Sequence, residues 1–276
     1  MKSAKFDYVV AKTVAEATAA LASASASPAI IAGGQSLVPM LNLRVAVADV
    51  LVDISGIEEL KTTCETPTGM RIGALTTHAD VEDGKVPDLF AGLLRKVASG
   101  ISYRSIRNYG TVGGSVALAD PAADWPVCLM ALGADVCIAD GAEARSQPIT
   151  EFIAGQYRTS LRKNEIVTGL DIPRSDAPLR WGLHKVVRKS GAFADSIVIA
   201  VQRGGKAACI ALGGAVPHPF VLAATAQRLG GGDQSEDALR AAIGQDLKGN
   251  AAEGDSYLMR LHTATVLRAI RELRNS

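Results

Sequence analysis

The sequence lacks the residue patterns by which many metal and nucleic-acid sites are found. Its four cysteines lie far apart and form no Cys-x-x-Cys pair, and its four histidines show no helical i, i+4 spacing. A zinc ribbon, an iron-sulfur cluster or a histidine metal site is therefore not expected in this chain. The formal net charge is only +1, so the composition implies neither nucleic acid nor an acidic surface as a partner.

The sequence also lacks any apolar run of roughly 18 residues, which is the length that a membrane-spanning helix needs. Charged residues interrupt every apolar run near the N-terminus, so no signal-peptide core is expected there. We therefore predict a cytoplasmic protein. A chain of 276 residues is long enough for two or three subdomains, each of which buries a core against its neighbour.

Several nucleotide-binding and catalytic motifs are missing as well. No Gly-x-Gly-x-x-Gly follows a predicted strand and no Gly-x-x-x-x-Gly-Lys occurs, which excludes a Rossmann fingerprint and a Walker loop. The polar residues support no Ser/His/Asp or Cys/His constellation, so we assign no catalytic residue to this chain.

Two glycine pairs are the most informative feature that is present. Residues 31–37, Ile-Ala-Gly-Gly-Gln-Ser-Leu, follow an apolar run that predicts a buried strand, and residues 111–115 are Thr-Val-Gly-Gly-Ser. Because glycine has no Cβ, it adopts positive φ and lets backbone N–H groups approach a pyrophosphate as a nest. One Gly-Gly pair is more often a turn. Two such loops predict a phosphate-bearing cofactor held from two sides, with hydroxyl donors from Ser36 and Thr111.

Helices are predicted on both sides of these loops. Thr13-x-x-Glu16 is a capping box ahead of an alanine-rich helix. Apolar residues at three- and four-residue spacing over residues 89–101 predict a second helix, which leads into the second glycine pair. Asp120 and the proline after it predict an N-cap and the first turn of a helix that stops at Gly133. Another amphipathic helix closes the chain.

Strands are predicted where apolar residues alternate or run together between turn signals. These segments are residues 28–31, 50–54, 70–75, 136–139, 165–173, 197–201 and 207–212. Residues 175–178, Ser-Asp-Ala-Pro, form a turn-rich linker, and the glycine run 230–232 predicts a plain loop.

Two long segments, residues 32–44 and 106–124, closely resemble the FAD-binding medium subunit of the molybdenum hydroxylases. The resemblance extends from Phe6 to the final helix. It implies an α+β fold: a two-lobed FAD-binding domain of the vanillyl-alcohol oxidase type, followed by a smaller C-terminal α+β domain. The FAD-binding domain would span residues 1–174, with lobes of about 1–56 and 57–174, and the C-terminal domain residues 179–276.

The resemblance also nominates a set of cofactor-binding residues. Lys185 would lie beside the isoalloxazine ring, where an ammonium stabilises the reduced flavin. Asp124 would hydrogen-bond near the ribityl chain, and the backbone of Val167 would contact the cofactor. The full set is Ile31, Ala32, Gly33, Gly34, Gln35, Ser36, Leu37, Thr111, Gly113, Gly114, Ser115, Asp124, Val167 and Lys185.

The residues alone leave other interpretations of these positions open. Lys185 stands near Arg188 and Lys189, a pattern that is typical of a solvated basic strand. Asp124 equally suits the start of a helix. Ala192 departs from the family pattern, in which many relatives have Asp, so no polar side-chain contact from this position to the flavin or to a second substrate is expected.

In function, the resemblance implies an electron-transfer subunit that carries FAD. Electrons would leave a substrate at a molybdenum cofactor on a large subunit and pass through [2Fe-2S] clusters on a small subunit to this chain. The expected assembly is a dimer of heterotrimers. The substrate and the acceptor stay open: carbon monoxide, purines, N-heterocycles or aldehydes, and NAD, quinone, cytochrome or oxygen.

Two alternatives belong to other functional classes. One is a self-sufficient flavoenzyme of the same fold, for which Cys64 or His78 could be a covalent flavin anchor, although neither lies in a motif for that role. The other is a non-catalytic assembly or scaffold protein for a metalloenzyme, which would bind no flavin. The two glycine pairs argue against the scaffold interpretation, and the small C-terminal domain, which offers little room for an independent substrate site, argues against the self-sufficient flavoenzyme.

Overall fold

The structure is a computed structural model that describes residues 2–24, 27–231, 234–250 and 254–276. Its N-terminal part contains a parallel sheet of three strands. Its strands are arranged in the order β1-β3-β2, and both pairs are parallel. The elements are β1 (Asp7–Val10), α1 (Val14–Ser23), β2 (Pro28–Ile31), α2 (Leu37–Leu43) and β3 (Val50–Asp53).

Helix α1 begins where the sequence predicts it. The side-chain oxygen of Thr13 accepts a hydrogen bond from the backbone N–H of Glu16 at 3.1 Å, which satisfies one free donor of the first turn. The Glu16 carboxylate accepts from the N–H of Lys12, rather than from that of Thr13, at 2.7 Å. The cap is therefore a shifted form of the predicted box. The helix leads the chain back to β2 and the first glycine pair.

An antiparallel sheet of five strands follows, in the order β4-β5-β10-β6-β7. The strands of this region are β4 (Thr63–Thr66), β5 (Gly69–Gly73), β6 (Asp135–Ala139), β7 (Ala144–Pro148), β8 (Ile153–Gly155), β9 (Arg158–Thr159) and β10 (Ile166–Pro173). Its helices are a 3₁₀ turn (Glu58–Lys61), α3 (His78–Glu82), α4 (Leu93–Ser99), α5 (Arg104–Arg107), α6 (Val112–Leu118), α7 (Asp124–Ala131) and α8 (Ile149–Phe152). Strands β8 and β9 form a separate small hairpin.

The C-terminal part is an antiparallel sheet that packs on helices. Its strands lie in the order β11-β12-β13-β14. The elements are β11 (Leu179–Val186), β12 (Ser196–Arg203), β13 (Cys209–Gly214), β14 (Phe220–Val221), α9 (Ala223–Gly230), α10 (Glu236–Leu247) and α11 (Ser256–Asn275). The mixed α and β composition confirms the predicted fold class.

Strand β12 joins the two larger cores. Ile197, Ile199 and Val201 on one face belong to the core of the five-stranded sheet, whereas Val198 and Ala200 on the other face pack with the C-terminal helices. Because both faces are covered, the strand is a continuous apolar run rather than an alternating one. Helix α7, all of whose residues are buried, contacts β12 and β13. The predicted boundary at residues 174–179 lies between β10 and β11 and stays a prediction.

The structure corrects the predicted start of helix α7. Helix α7 begins at Asp124 with Ala123 as its N-cap, so the prediction that Asp120 caps this helix is wrong. Asp120 instead accepts a hydrogen bond from the N–H of Ala122 at 2.9 Å, a local turn that positions the chain before the helix.

The second glycine pair is likewise not a loop. It forms the first turn of α6, because Thr111 caps the helix by accepting from the N–H of Gly114 at 3.1 Å. In the predicted glycine loop at residues 230–232, Gly230 ends α9, and position 232 lies outside the described residues.

Candidate cofactor site

A cavity of about 500 Å³ lies where elements of all three larger sheets meet. It brings together nearly all of the predicted cofactor-binding residues, although they come from distant parts of the sequence. The predicted residues that line it are Ala32, Gly33, Gly34, Gln35, Ser36, Leu37, Thr111, Gly113, Gly114, Ser115, Asp124, Val167 and Lys185. Their contacts with a cofactor stay a prediction.

Ile31 is the one predicted residue that does not line the cavity. Its neighbour Ile30 does so, while Ile31 packs against the small core that contains Leu41 and Leu51. Successive side chains of a strand point to opposite faces, so these two neighbours cannot both face the cavity.

The loop between β2 and α2 presents a run of free backbone donors. Among the described residues, no acceptor pairs with the N–H groups of residues 33–37, whereas the next N–H, that of Val38, donates to the carbonyl of Gly34 at 3.0 Å. Gly34 has a φ of +69°, a conformation that glycine adopts without strain. The side-chain amide of Gln35 donates to the carbonyl of Gly33 at 2.8 Å and holds the loop. Five neighbouring donors of this kind suit the oxygens of a phosphate group.

The glycines of the second pair are used differently from the prediction. The N–H groups of Gly113 and Gly114 donate within the protein, to the carbonyl of Ala74 at 3.0 Å and to the side-chain oxygen of Thr111 at 3.1 Å. A Cβ on Gly113 would lie 2.5 Å from the Cβ of Ala74. The hypothesis that both glycine pairs point their N–H groups at phosphate is therefore wrong for the second pair, which serves close packing.

The two glycine segments also meet each other directly. A Cβ on Gly33 would lie 1.8 Å from the carbonyl oxygen of Tyr109 and 3.1 Å from the Cα of Gly110. Only glycine allows this approach, because both neighbouring atoms belong to the backbone. The contact sets the first loop against the start of α6, and the cavity opens beside it.

Asp124 and Lys185 form an ion pair in the cavity wall. The Lys185 Nζ donates to the two carboxylate oxygens of Asp124 at 2.7 and 2.9 Å, and to the carbonyl of Gly100 at 3.1 Å. The side chain of Lys185 is only 13% exposed and that of Asp124 only 8%. Burial raises the pKa of the Asp124 carboxyl, and the Lys185 ammonium opposes that shift. The two charges predicted to act separately are thus joined in one neutral pair, so Lys185 is not a solvated cation.

His78 and Trp125 form a second polar pair that the sequence does not reveal. The Trp125 Nε1 donates to the His78 Nδ1 at 3.0 Å. His78 lines the cavity and is 6% exposed, and Trp125 is fully buried. Burial, with a smaller contribution from Arg107, lowers the pKa of His78 to about 4, so the imidazole is neutral at physiological pH. No local pattern could have found this pair, because its residues are 47 positions apart.

Other positions complete the description of the wall. Asp120 lines the cavity and accepts from the hydroxyl of Tyr157 at 3.2 Å. Ala192 and Phe193 also line it, and the methyl group of Ala192 provides no polar contact there. Cys64, considered as a flavin anchor, is exposed on β4 and is not among the lining residues.

Comparison with known proteins identifies the family. A family model described as the FAD binding domain in molybdopterin dehydrogenase matches residues 4–175, well over half of the chain. The chain belongs to this family. It is an FAD-binding oxidoreductase subunit of the molybdenum hydroxylase type.

Relatives agree with this assignment along almost the whole chain. The glyceraldehyde dehydrogenase medium chain of Sulfolobus acidocaldarius is 34% identical over 220 residues, which cover 78% of each chain. The carbon monoxide dehydrogenase medium chain of Hydrogenophaga pseudoflava is 30% identical over 260 residues, covering 90% of this chain and 91% of the relative. A solved structure of that Hydrogenophaga enzyme, in a form that lacks the Mo-pyranopterin moiety, superposes with a TM-score of 0.93 at 30% identity. It covers 100% of this chain and 99% of the matched chain.

The residues that the structure describes contain neither a cluster of metal-binding side chains nor a membrane-spanning helix. No group of three or more His, Cys, Asp or Glu side chains in that part of the chain could hold a metal ion. Within the same residues, no helix has the length and apolarity that crossing a membrane requires.

The cavity fits the cofactor of the family in size and in chemistry. Its volume lies within the range of about 300–1,000 Å³ that is usual for small-molecule sites. Free N–H donors at residues 33–37 match a pyrophosphate, and the hydroxyls of Ser36 and Ser115 line the same space. Apolar side chains provide most of the remaining wall, among them Ile30, Ile54, Leu118, Leu161 and Ile166.

Proposed function

We propose that this chain holds FAD in the cavity described above and transfers electrons from an iron-sulfur partner subunit to an external acceptor. The observation that carries the proposal is the run of five free N–H groups at residues 33–37, all of which line a cavity of suitable volume. Such groups favour an anion that accepts several hydrogen bonds at once. FAD, when bound, supplies two-electron redox chemistry.

The residues of the chain would bind and orient the cofactor. The β2–α2 loop would hold the pyrophosphate with backbone donors, and the hydroxyl of Ser36 would add a further donor. Thr111 accepts from the N–H of Gly114 with one lone pair, which leaves its hydroxyl hydrogen free to donate. Thr111 would thus fix α6 and contact the cofactor with the same group.

The Asp124–Lys185 pair would act as a fixed dipole rather than as a free cation. Because each charge compensates the other, the pair would have a weaker electrostatic effect on a bound flavin than an isolated ammonium would have. The backbone at Val167 and the apolar wall would limit the access of water. The polar residues of the wall would thus orient the cofactor, and the apolar residues would exclude water from it.

We further propose partners of the kind that the relatives' names describe. Several relatives are named as medium chains or subunits of dehydrogenases, with substrates that include glyceraldehyde, carbon monoxide and caffeine. A large molybdenum subunit would select the substrate, and a small iron-sulfur subunit would deliver electrons to this chain. A dimer of such heterotrimers and a cytoplasmic location stay predictions, which native mass measurement and cell fractionation would test.

The decisive experiment is purification of the tagged chain from its native host. Subunit masses, flavin content, and molybdenum and iron content are measured on one preparation. FAD recovered with a large molybdenum subunit and a small iron-sulfur subunit is the expected result. A yellow protein that purifies alone would favour a self-sufficient flavoenzyme, and a colourless protein alone would contradict the proposed use of the cavity.

A further inference from the structure

The pair of His78 and Trp125 fixes the position of one proton at the cavity wall. The Trp125 indole is a donor only, and its Nε1 lies 3.0 Å from the Nδ1 of His78. Nδ1 must therefore accept, which in a neutral imidazole leaves the proton on Nε2. The indole N–H of the fully buried Trp125 has no alternative acceptor among the described residues, so the hydrogen bond to the Nδ1 of His78 is the one it makes there.

The imidazole is also held in its neutral form. Burial and the guanidinium of Arg107 lower the pKa of His78 to about 4. Arg107 is itself fixed, because it donates to the two carboxylate oxygens of Glu82 at 2.8 and 2.9 Å and to the carbonyls of Ile101 and Ser102. Arg107 is thus held close to His78, which offers one donor and no charge.

The donor of His78 belongs to a residue of the cavity wall. Among the described residues, no acceptor pairs with the His78 Nε2, and this atom is not one of the fully enclosed polar atoms without a partner. His78 lines the cavity beside Gly110, whose Cβ, if it existed, would lie 2.8 Å from the Nε2. Gly110 in turn lies against Gly33, at the start of the loop with free N–H groups. An acceptor from a bound molecule would satisfy the imidazole donor.

We propose that His78 binds FAD through a hydrogen bond from its Nε2–H to an oxygen or nitrogen acceptor of the cofactor, and that Trp125 is the positioning residue that fixes the tautomer. This inference rests on the proposed use of the cavity for FAD. It adds to the loop of residues 33–37 a side-chain donor from the opposite segment. Gly110 is required beside it, since any side chain there would meet the imidazole.

The test compares two amide substitutions at one position. His78→Gln places an amide near the Nε2 position and keeps a donor toward the cavity. His78→Asn places its amide near the Nδ1 position, so that it can accept from Trp125 but provides no donor at the cavity. We expect the FAD dissociation constant, measured by flavin fluorescence on the full chain, to rise roughly three- to tenfold in His78→Asn and to stay within roughly twofold of wild type in His78→Gln.

The same titration separates the possible failures. If the wild-type chain binds no FAD, the proposed function fails. If the wild type binds and both variants bind equally well, or both weaken equally, the donor role of His78 is refuted. ADP and riboflavin serve as probes for the two halves of the cofactor. A loss that ADP shares places the acceptor on the phosphate side, and one that riboflavin shares places it on the flavin side.

Trp125→Phe tests the positioning role with a spectroscopic readout. In the wild type, the ¹⁵N spectrum of His78 should show a protonated Nε2 and an unprotonated Nδ1 at neutral pH. Trp125→Phe should yield a mixture of the two tautomers and weaken FAD binding less than His78→Asn does. An unchanged tautomer in Trp125→Phe would overturn the assignment of Trp125, even if the variant lost FAD through a change in packing.

Discussion

Substitution of Lys185 by Met should strongly destabilise the protein, because it leaves a buried carboxylate without its partner. The Lys185 Nζ lies 2.7 and 2.9 Å from the oxygens of Asp124, and the two side chains are 13% and 8% exposed. At an effective dielectric constant of about 20, charges about 2.8 Å apart attract by about 6 kcal/mol, from which desolvation must be subtracted. Removal of one partner of a buried pair costs about 3–5 kcal/mol, and we expect Lys185→Met to fall in that range.

The magnitude is measured by urea unfolding at pH 7, followed through the fluorescence of the two tryptophans. Asp124→Leu should cost a similar amount, since the Lys185 ammonium would keep only the carbonyl of Gly100. The double variant removes both charges and should lie within about 1 kcal/mol of the wild type. A matched control is Arg240→Met, which breaks an exposed i, i+4 pair with Glu236 and should cost less than about 0.5 kcal/mol.

The pH dependence of the Lys185→Met variant provides a further check. Without the ammonium, burial raises the pKa of Asp124 with no opposing charge, so protonation of this carboxyl favours the folded variant. The stability deficit relative to wild type should shrink as the pH falls. A deficit below about 1 kcal/mol at pH 7, or additive single and double variants, would refute the interpretation of a buried coupled pair.

Three further predictions follow from the cavity wall. Gly33→Ala places a Cβ 1.8 Å from the carbonyl oxygen of Tyr109 and should reduce both folded yield and FAD content, whereas Gly205→Ala, with no atom within 4 Å, should change neither. Gly114→Val places a Cβ 2.7 Å from the Oγ1 of Thr111 in the cavity wall and should prevent FAD retention, and unchanged flavin content would contradict this. Because the pKa of His78 is lowered from 6.5 to about 4, the wild type should lose about 3 kcal/mol of stability as the pH falls from 6.5 through 4. His78→Gln should lack that part of the loss in acid titrations of unfolding.

Local signals in the sequence were sufficient for many of the elements. The oxygen of Thr13 does cap α1, and the continuous apolar run in β12 corresponds to a strand that is covered on both faces. Each of these signals depends on residues within a few positions of one another, so it can be detected from the local sequence pattern alone. The resemblance added what periodicity does not contain: the order of the lobes and the identity of the cofactor.

The helix after Pro121 shows where a local signal has two solutions. Asp followed by Pro suits the start of a helix, but the same Asp side chain also closes a turn onto the N–H two residues later, at Ala122. The helix begins at Asp124, whose carboxylate is needed by Lys185. Residue preferences for the two arrangements are similar, and the ion pair of Asp124 with Lys185, 61 positions away in sequence, is a contact that no local pattern contains.

Glycine posed a different difficulty, because the sequence does not say which atom approaches it. The interpretation of both pairs as phosphate nests assumed a ligand on the open side of each glycine. The structure places protein backbone against Gly33 and Ala74 against Gly113, and the free N–H groups occur only in the first loop. The absence of a Cβ is explained equally well by a cofactor or by another segment of the same chain.

The cavity draws its polar groups from all three regions of the fold. Its free backbone donors follow β2, Asp124 and His78 belong to the second region, and Lys185 belongs to β11. A molecule that contacted all of these groups at once would oppose any separation of the three regions through its binding energy. By mass action, FAD at one hundred times its dissociation constant would add about 2.7 kcal/mol to the stability of the folded chain. Protein atoms already join the regions at Gly33, where the backbone of Tyr109 lies in direct contact, so bound FAD would add to an interface that exists without it.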